Sequence, residues 1–239
     1  MDVSRWPRVQ TLLTAAVTVS KAEKRVQAAE TRAIQLGLAH LLSEYMTTTG
    51  ITSPPFLLLS VDLEFYELDH HLVTEIGLAW CESTTFADHD TIPTSGCCSH
   101  YIISEHKCYR NGRYVPDQRE HFSFGLSQEV SLCDVAHRIG DDILMVGNGL
   151  PVVLVGHSME GDLARLKELG LCLEEMVTAE FDIGIAFQEL EKAPQRTSLG
   201  KMLEAFGIEH SHLHNAGNDS GYTLAAARHV LSIASLERC

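Results

Sequence analysis

Apolar and polar residues follow two different periodicities along this chain. Between residues 9 and 46, apolar side chains recur every three or four positions, which predicts one long helix or two shorter ones. Short apolar or alternating runs predict five strands, at residues 56–67, 72–82, 99–107, 151–155 and 176–181. Helical spacing and capping residues predict further helices over residues 127–146, 162–169, 197–206 (N-capped by Thr197) and from Gly217 or Asp219 to Leu236.

This order of elements predicts the fold class. Three successive strands followed by alternating helices and strands favour an α/β fold, with a mixed five-stranded sheet flanked by helices on both faces. The turn-rich stretch TTTGITSPP is typical of a linker. We therefore expect an N-terminal helical extension over residues 1–50 and a main domain over residues 51–239.

The composition fits one sizeable globular domain with an appendage, since 45% of the 239 residues are hydrophobic and 21% are charged. The longest apolar run is broken by Asn148 and Pro151 and falls short of the roughly 18 to 20 residues of a membrane span, so we expect no membrane contact. Seven irregularly spaced cysteines favour reduced thiols and an intracellular location, cytoplasmic or nuclear. The basic N-terminus leaves a mitochondrial presequence as the alternative, against which Asp2 and Glu23 count.

The net charge restricts the ways in which this chain can hold nucleic acid. Lys and Arg number 18 against 32 Asp and Glu, which gives a formal charge of −14. So acidic a chain is poorly suited to hold long nucleic acid through its phosphates alone. Any chemistry on nucleic acid would be local, metal-assisted or helped by a partner.

The motif VGHSMEGD follows an apolar predicted strand and invites comparison with serine hydrolases. The nucleophile of those enzymes lies on a strained turn of the form G-x-S-x-G, whose flanking positions are nearly free of side chains. Here Glu160 occupies the second of those positions, so Ser158 is a poor candidate nucleophile. Asp162, in the first turn of the next predicted helix, is the better candidate, with a simple helix-dipole partner as the structural alternative.

Acidic residues also mark other predicted element ends. Asp62 and Glu64 are two residues apart on the first predicted strand, so their side chains project from the same face. Buried carboxylates need a paired cation or a metal ion; a solvated strand end is the alternative. Near the C-terminus, His214 precedes Asp219 by five residues, and small residues between them allow close packing where the last helix begins. With Asp162, these residues form the candidate site.

Together these segments resemble a known nuclease family. D-x-E on a strand, G-H-x-x-x-x-D-x-x-x-L and H-x-A-x-x-D are similar to the motifs of the DEDD exonucleases, in their histidine-containing, DnaQ-like subclass. The resemblance covers residues 56–233 and fills all five functional positions. Four stretches resemble most closely the fungal Gfd-type branch: VDLEFYE, TEIGLAW, RNGRYVPDQREHFSFG and HNAGNDSGYTL. Ser158 departs from the Asn that many relatives have there, at a position that is not a metal ligand.

The resemblance implies a ribonuclease H-like fold and a 3′-5′ exonuclease that releases nucleoside 5′-monophosphates from single-stranded or short nucleic acid, with RNA favoured over DNA. It implies two divalent cations, Mg²⁺ or Mn²⁺, which oxygen ligands favour and which serve in-line phosphodiester hydrolysis. Asp62 would contact both cations, and Glu64 with Asp219 would complete one site. Asp162 would support the other, and His214 would be the general base that takes a proton from water.

The segment over residues 107–119 is locally basic in this acidic chain. We expect Arg110, Arg113 and Tyr114 to bind substrate through phosphate contacts and base stacking, with a solvated loop as the alternative. His157, which precedes Asp162 in its motif, is a further candidate substrate contact. Zinc binding is the alternative for a nearby group whose spacing lacks the paired ligands of structural zinc sites: Cys97, Cys98, His100, His106 and Cys108.

The alternative function is a non-catalytic adaptor, in which the exonuclease scaffold binds nucleic acid or protein. The complete set of acidic positions favours the enzyme. For the N-terminal helix we expect a packing role, or contact with a protein partner or a second copy of the chain.

Overall fold

A computed structural model describes residues 21–47, 54–85 and 96–236. Within these residues, six strands form one sheet in the order β4-β3-β2-β1-β5-β6. The strands are β1 Leu57–Tyr66, β2 Asp69–Glu82, β3 Cys98–Ile103, β4 Gln128–Val130, β5 Val152–Gly156 and β6 Ala179–Asp182. The helices are α1 Lys21–Thr47, α2 Val135–Gly147, α3 Glu160–Glu168, α4 Ile183–Leu190, α5 Leu199–Ala205 and α6 Ala216–Leu236.

The sheet is mixed, as the order of elements predicts. Strand β1 is central and pairs antiparallel with β2 and parallel with β5. The β2–β3 pair is antiparallel, whereas the β3–β4 and β5–β6 pairs are parallel. The predicted α/β class is therefore confirmed. The arrangement is that of a ribonuclease H-like fold, with β4 added at one edge.

The observed elements differ from the predicted ones in two ways. The sheet has six strands in the described residues rather than five, because residues 128–130, predicted to begin a helix, form β4 instead. Three residues are too few to show a periodicity, and pairing with β3 decides their conformation. Helix α4 was not predicted, because it is buried along most of its length and lacks the polar stripe of an amphipathic helix.

Several predicted boundaries also shift. The third strand ends at Ile103 and continues as a 3₁₀ turn, the strand predicted from residue 176 begins at Ala179, and α5 is capped by Ser198 rather than Thr197. The predicted N-terminal helix is observed from Lys21. Residues 9–20 of that prediction, and residues 48–53 of the predicted linker, lie outside the described residues.

Hydrophobic layers cover both faces of the sheet. On one face α1, α4, α5 and α6 pack together, and Leu38, Ala39 and Leu42 of α1 are buried in that layer. On the other face, the side chains of α2 and α3 pack against Leu57, Leu59 and other alternate residues of β1. The division into residues 1–50 and 51–239 stays a prediction, although the second half of α1 packs into the same core as α6.

Alternation along β1 gives each face a different character. Leu57, Leu59, Val61 and Leu63 pack toward α2 and α3. The intervening residues Ser60, Asp62 and Glu64 therefore lie on the face that α6 covers.

Helix α6 approaches this face unusually closely because two glycines lie between it and the sheet. Gly77 is the β2 register partner of Asp62, and a Cβ built there would lie 1.9 Å from the carbonyl oxygen of Ala216. A Cβ at Gly217 would lie 2.6 Å from the Phe122 ring and 2.7 Å from His100 Cβ. Glycine at both positions therefore lets the first turn of α6 lie against β2 and β3.

No helix in the described ranges combines the length and the apolar character that a bilayer crossing requires.

Replacing Gly77 tests this close approach. The methyl group of Gly77→Ala would collide with backbone, so we expect the free energy of unfolding to fall by about 3 kcal/mol, measured by urea denaturation. Gly37→Ala is the matched control, since nothing lies within 4 Å of its Cβ position in α1; it should raise stability by about 0.5–1 kcal/mol. Similar small effects from both substitutions would contradict the close approach.

Candidate active site

The predicted acidic residues meet at one edge of the sheet. Asp62 and Glu64 lie toward the carboxyl end of β1, and Asp162 lies in the first turn of α3, just beyond the carboxyl end of the parallel strand β5. Asp219 lies in the first turn of α6, which covers the same part of β1. In open α/β sheets, ligands bind outside the carboxyl ends of parallel strands.

Three of the predicted residues form a compact ligand group. One ligand atom from each of Glu64, His214 and Asp219 lies within 4.8 Å of the other two. His214 Nδ1 is 3.8 Å from Glu64 Oε1, and the His214 backbone N–H donates to Asp219 Oδ2 at 2.9 Å. Asp219 Oδ1 is buried and has no hydrogen-bond partner among the described residues. It is thus an unused acceptor on a residue of this group.

Asp62 and Asp162 interact electrostatically with this group. Burial raises the pKa of Asp62 well above its usual range, and the carboxylates of Asp219 and Asp162 raise it further. Burial also raises the pKa of Glu64, with Asp219 the strongest charged contributor. All four predicted acids therefore belong to one electrostatic cluster.

Burial sets the protonation state of the remaining members. It raises the pKa of Asp162 to about 7. The pKa of Asp219 is also about 7, because burial outweighs the opposing hydrogen bond from the His214 backbone. Burial lowers the pKa of His214, which keeps its ring neutral near neutral pH. Full ionisation of the cluster near neutral pH is therefore unfavourable unless positive charge enters it.

The donor set suits a hard divalent cation. Carboxylate oxygens are the ligands that Mg²⁺ and Mn²⁺ favour, and Asp219 Oδ1 is a buried oxygen in need of a partner. Glu64 and Asp219 belong to the group that could hold such an ion, and Asp62 and Asp162 are coupled to it through their charges.

The contacts in the turn between β5 and α3 argue against Ser158 as the nucleophile of a serine hydrolase. Ser158 does adopt a left-handed backbone, with φ of 65°. Its Oγ, however, accepts a hydrogen bond from Arg196, and the neighbouring His157 ring contacts the carbonyl oxygen of Thr197 at 2.7 Å rather than the serine. The Ser158 backbone N–H donates to Asp182 Oδ2, which fixes the turn that leads to Asp162.

The predicted substrate-binding residues lie in different environments. Arg110 pairs with Asp117 and Glu120, at 2.5 and 2.9 Å. The Arg113 guanidinium lies 4.9 Å from the centre of the exposed Tyr114 ring. The half-buried His157 packs against Gly184, besides its contact with Thr197.

Glu67, the residue after β1, anchors the basic segment beside the acids. Its carboxylate accepts hydrogen bonds from the backbone N–H groups of residues 112–115. Although partial burial raises it, these donors lower the pKa of Glu67 to about 2. Asn111 adds two hydrogen bonds, to Phe65 O and from Glu67 N. The segment that carries Arg113 and Tyr114 is therefore fixed to the end of β1.

Sequence reasoning missed a buried polar network behind the acids. Glu75 is the β2 register partner of Glu64; its carboxylate contacts His100 Nε2 at 2.9 Å and accepts a hydrogen bond from Arg119 Nε at 3.4 Å. The same carboxylate accepts a hydrogen bond from the backbone N–H of Ala216 at the start of α6. The detectable signal was a glutamate inside the apolar stretch TEIGLAW; its partners are distant in sequence.

These contacts also argue against zinc binding by the nearby thiols and imidazoles. His100 is committed to Glu75 and Ser127, and His106 Nδ1 contacts the carbonyl oxygen of Val73. Burial raises the pKa of the Cys98 thiol to about 12, which disfavours a thiolate ligand. Among the described residues, the group found that could hold a metal ion is Glu64, His214 and Asp219, and it includes none of these thiols and imidazoles.

Comparisons with known proteins place these features in a family. Residues 57–230 match the DEDDh family described as DNA polymerase III subunit epsilon-like, C-terminal domain. An uncharacterized nucleolar protein of Schizosaccharomyces pombe is 30% identical over 188 residues, 76% of this chain and 71% of that protein. Good for full DBP5 activity protein 2 of Saccharomyces cerevisiae is 30% identical over 192 residues, 69% of this chain and 33% of that protein.

A second uncharacterized protein of Saccharomyces cerevisiae is 28% identical over 198 residues, and this chain covers 41% of its length. The chain thus spans between a third and a half of the two budding-yeast proteins. Among solved structures, the RNase domain of the yeast Pop2 protein matches with a TM-score of 0.46 at 11% identity, over 83% of this chain and 82% of that chain. The family match covers most of the described residues and confirms the resemblance seen in the motifs: this chain belongs to the DEDDh exonuclease family.

Proposed function

We propose that this chain is a metal-dependent 3′-5′ exonuclease that hydrolyses single-stranded or short nucleic acid and releases nucleoside 5′-monophosphates. Family membership supports a nuclease-type function. The observation that supports hydrolysis with metal ions is the group of Glu64, His214 and Asp219, in which Asp219 has a buried oxygen without a hydrogen-bond partner.

In this proposal, Asp62, Glu64, Asp162 and Asp219 hold two divalent cations, Mg²⁺ or Mn²⁺. When bound, the cations would stabilise negative charge on the phosphate and lower the pKa of the attacking water. Electrostatics supports this role, because burial, together with repulsion between carboxylates at Asp62, favours the protonated acids in the protein alone. Cations would compete with those protons.

His214 is the proposed general base. Its lowered pKa favours the neutral ring that can accept a proton. Nδ1 lies near Glu64, so we assign proton uptake from water to Nε2. The half-exposed ring can reach a substrate that approaches from solvent.

RNA is the proposed substrate class, on the resemblance of the motifs to the Gfd-type branch. Arg113 and Tyr114 are proposed to contact the strand beside the acids, since Glu67 fixes their segment to the end of β1. Arg110 is the weaker phosphate ligand, because two carboxylates already neutralise it. The His157 ring is proposed to shape the same cleft. A nuclear location is proposed from the nucleolar naming of one relative.

A ladder assay tests the activity directly. Incubated with 5′-labelled RNA and DNA oligomers and Mn²⁺ or Mg²⁺, the protein should shorten them from the 3′ end, and chelator should stop the reaction. Asp62→Asn should lose this activity. His214→Ala should lower kcat about 10²- to 10⁴-fold, because the general base is gone. Asp141→Asn, on exposed α2 surface, is the matched control. Binding without shortening on every substrate would favour the adaptor.

The acids also predict an unusual pH dependence of stability. Their folded-state pKa values exceed the unfolded values, so the metal-free folded protein retains protons that the unfolded chain loses. In chelator, the free energy of unfolding should therefore fall as pH rises from about 4 to about 7, the interval set by Asp162 and Asp219. Urea denaturation at several pH values measures the slope.

Two comparisons isolate this effect from other titrating groups. Asp219→Asn should make the fall shallower, and saturating Mn²⁺ should raise stability more at pH above 7 than at pH near 5. A slope that neither change alters would contradict an acidic, cation-binding cluster.

The two arginines of the basic segment should differ in their effect on binding. Arg113→Ala should weaken binding of a single-stranded oligomer. It should also make the slope of log affinity against log salt concentration shallower, by about the amount expected for one phosphate contact. Arg110→Ala should change both quantities less, because Asp117 and Glu120 already pair with that charge. Fluorescence anisotropy at several salt concentrations measures both, and a larger effect of Arg110→Ala would reverse the assignment.

A further inference from the structure

Two exposed histidines form a stacked pair next to the site. The rings of His121 and His212 lie with centroids 4.7 Å apart and an interplanar angle of 14°. Both residues are solvent-exposed, so the pair contributes little to the hydrophobic core. Flat, parallel rings at the surface of a cleft are the feature that single-stranded nucleic-acid binders use to stack bases.

Hydrogen bonds hold the pair against the first turn of α6. The Asn218 side-chain amide donates to the carbonyl oxygens of both His121 and His212, at 2.9 and 3.1 Å. Gln118 Oε1 contacts His212 Nδ1 at 3.0 Å and so orients that ring. Asn218 immediately precedes Asp219, and His212 is two residues before His214. The pair is thereby coupled to the two elements that carry the proposed metal ligand and base.

The loop backbone is constrained at the same place. His212 and His214 have φ of 54° and 70°, in a left-handed region that residues other than glycine rarely adopt. Such conformations persist where surrounding contacts over-determine them, and they cluster at ligand sites. Here Asn215 also fixes the opposite segment, since its amide donates to the carbonyl oxygens of Gln118 and Arg119. The two rings are therefore presented by a pre-organised loop pair.

The negative net charge of the chain favours substrate binding by stacking over binding through phosphates. A protein of net charge −14 has little capacity to hold a strand through phosphates, and Arg119, the cation nearest the pair in sequence, is buried against Glu75. Stacking on a ring face needs no net positive charge and tolerates any base.

We propose that His121 and His212 form a stacking platform for a nucleobase within the last two nucleotides of the 3′ end. The inference rests on the proposed exonuclease function and names how that site holds its substrate. The rings would recognise the flat face of a base, whichever of the bases it is. Stacking of that base would be required to place the terminal phosphodiester correctly.

Binding to intact and abasic oligomers tests the platform. In an Asp62→Asn background, which the proposed function leaves unable to cleave, anisotropy compares a single-stranded oligomer with others lacking the terminal or the penultimate base. The protein that retains His121 and His212 should bind the intact oligomer about tenfold more tightly than at least one of the abasic oligomers. His212→Asn, which removes the ring but tolerates the left-handed backbone, should abolish that difference.

Further variants separate stacking from general damage to the fold. His121→Ala should also remove the discrimination, and His121→Phe should restore it, because a phenyl ring can stack but cannot reproduce an imidazole hydrogen bond. His137→Ala, an exposed histidine of α2, is the matched control and should leave the ratio unchanged.

The outcomes distinguish the two proposals. Equal binding of intact and abasic oligomers, or discrimination that survives both ring removals, would overturn the platform while leaving the exonuclease proposal intact. Absence of binding to any oligomer would overturn both. Discrimination without any cleavage by the protein that retains Asp62 would support the platform and overturn the exonuclease.

Discussion

The site depends on how closely the first turn of α6 approaches the sheet. Gly77 lies in register with Asp62, and the backbone of Ala216 occupies the space that a side chain at Gly77 would need. On the helix side, the absence of a side chain at Gly217 leaves room for His100 and Phe122. This contact brings Asp219 from the C-terminal part of the chain within a few ångströms of Glu64, which no local feature of either segment would achieve.

The close approach brings buried carboxylates near one another, and their electrostatic repulsion remains in the folded protein. Burial raises the pKa values of Asp62, Glu64, Asp162 and Asp219, and repulsion from neighbouring carboxylates raises those of Asp62, Glu64 and Asp219 further, which favours their protonated forms. Arranging like charges in this way costs stability, and a binding site for cations is the usual reason for retaining it. In the proposed function, bound divalent cations would relieve this repulsion.

Two arginines of the segment beside this acidic centre already pair with other groups of the protein. Arg119 is buried against Glu75 and donates to the carbonyl oxygens of Lys107 and Tyr109, while Arg110 pairs with two acids. The Glu75 carboxylate in turn accepts from the start of α6, so the buried network supports the acids from behind. In the proposed function, contact with a substrate strand would therefore be made by exposed rings and by the loop that Glu67 fixes.

The sequence by itself determined what depends on local periodicity and on motif spacing. The two-residue period of β1 placed Asp62 and Glu64 on one face, the transition from a strand to a helix placed Asp162 in a first helical turn, and small residues with helical spacing placed Asp219 near the start of the last helix. Tertiary structure alone decided the state of β4, the burial of α4, and the contacts of Glu75 with His100, Arg119 and Ala216. It also decided that His121 and His212 stack. The physical reason is that pairings between residues far apart in the chain leave no periodic trace in either segment, and their energy exists only once the sheet and α6 have met.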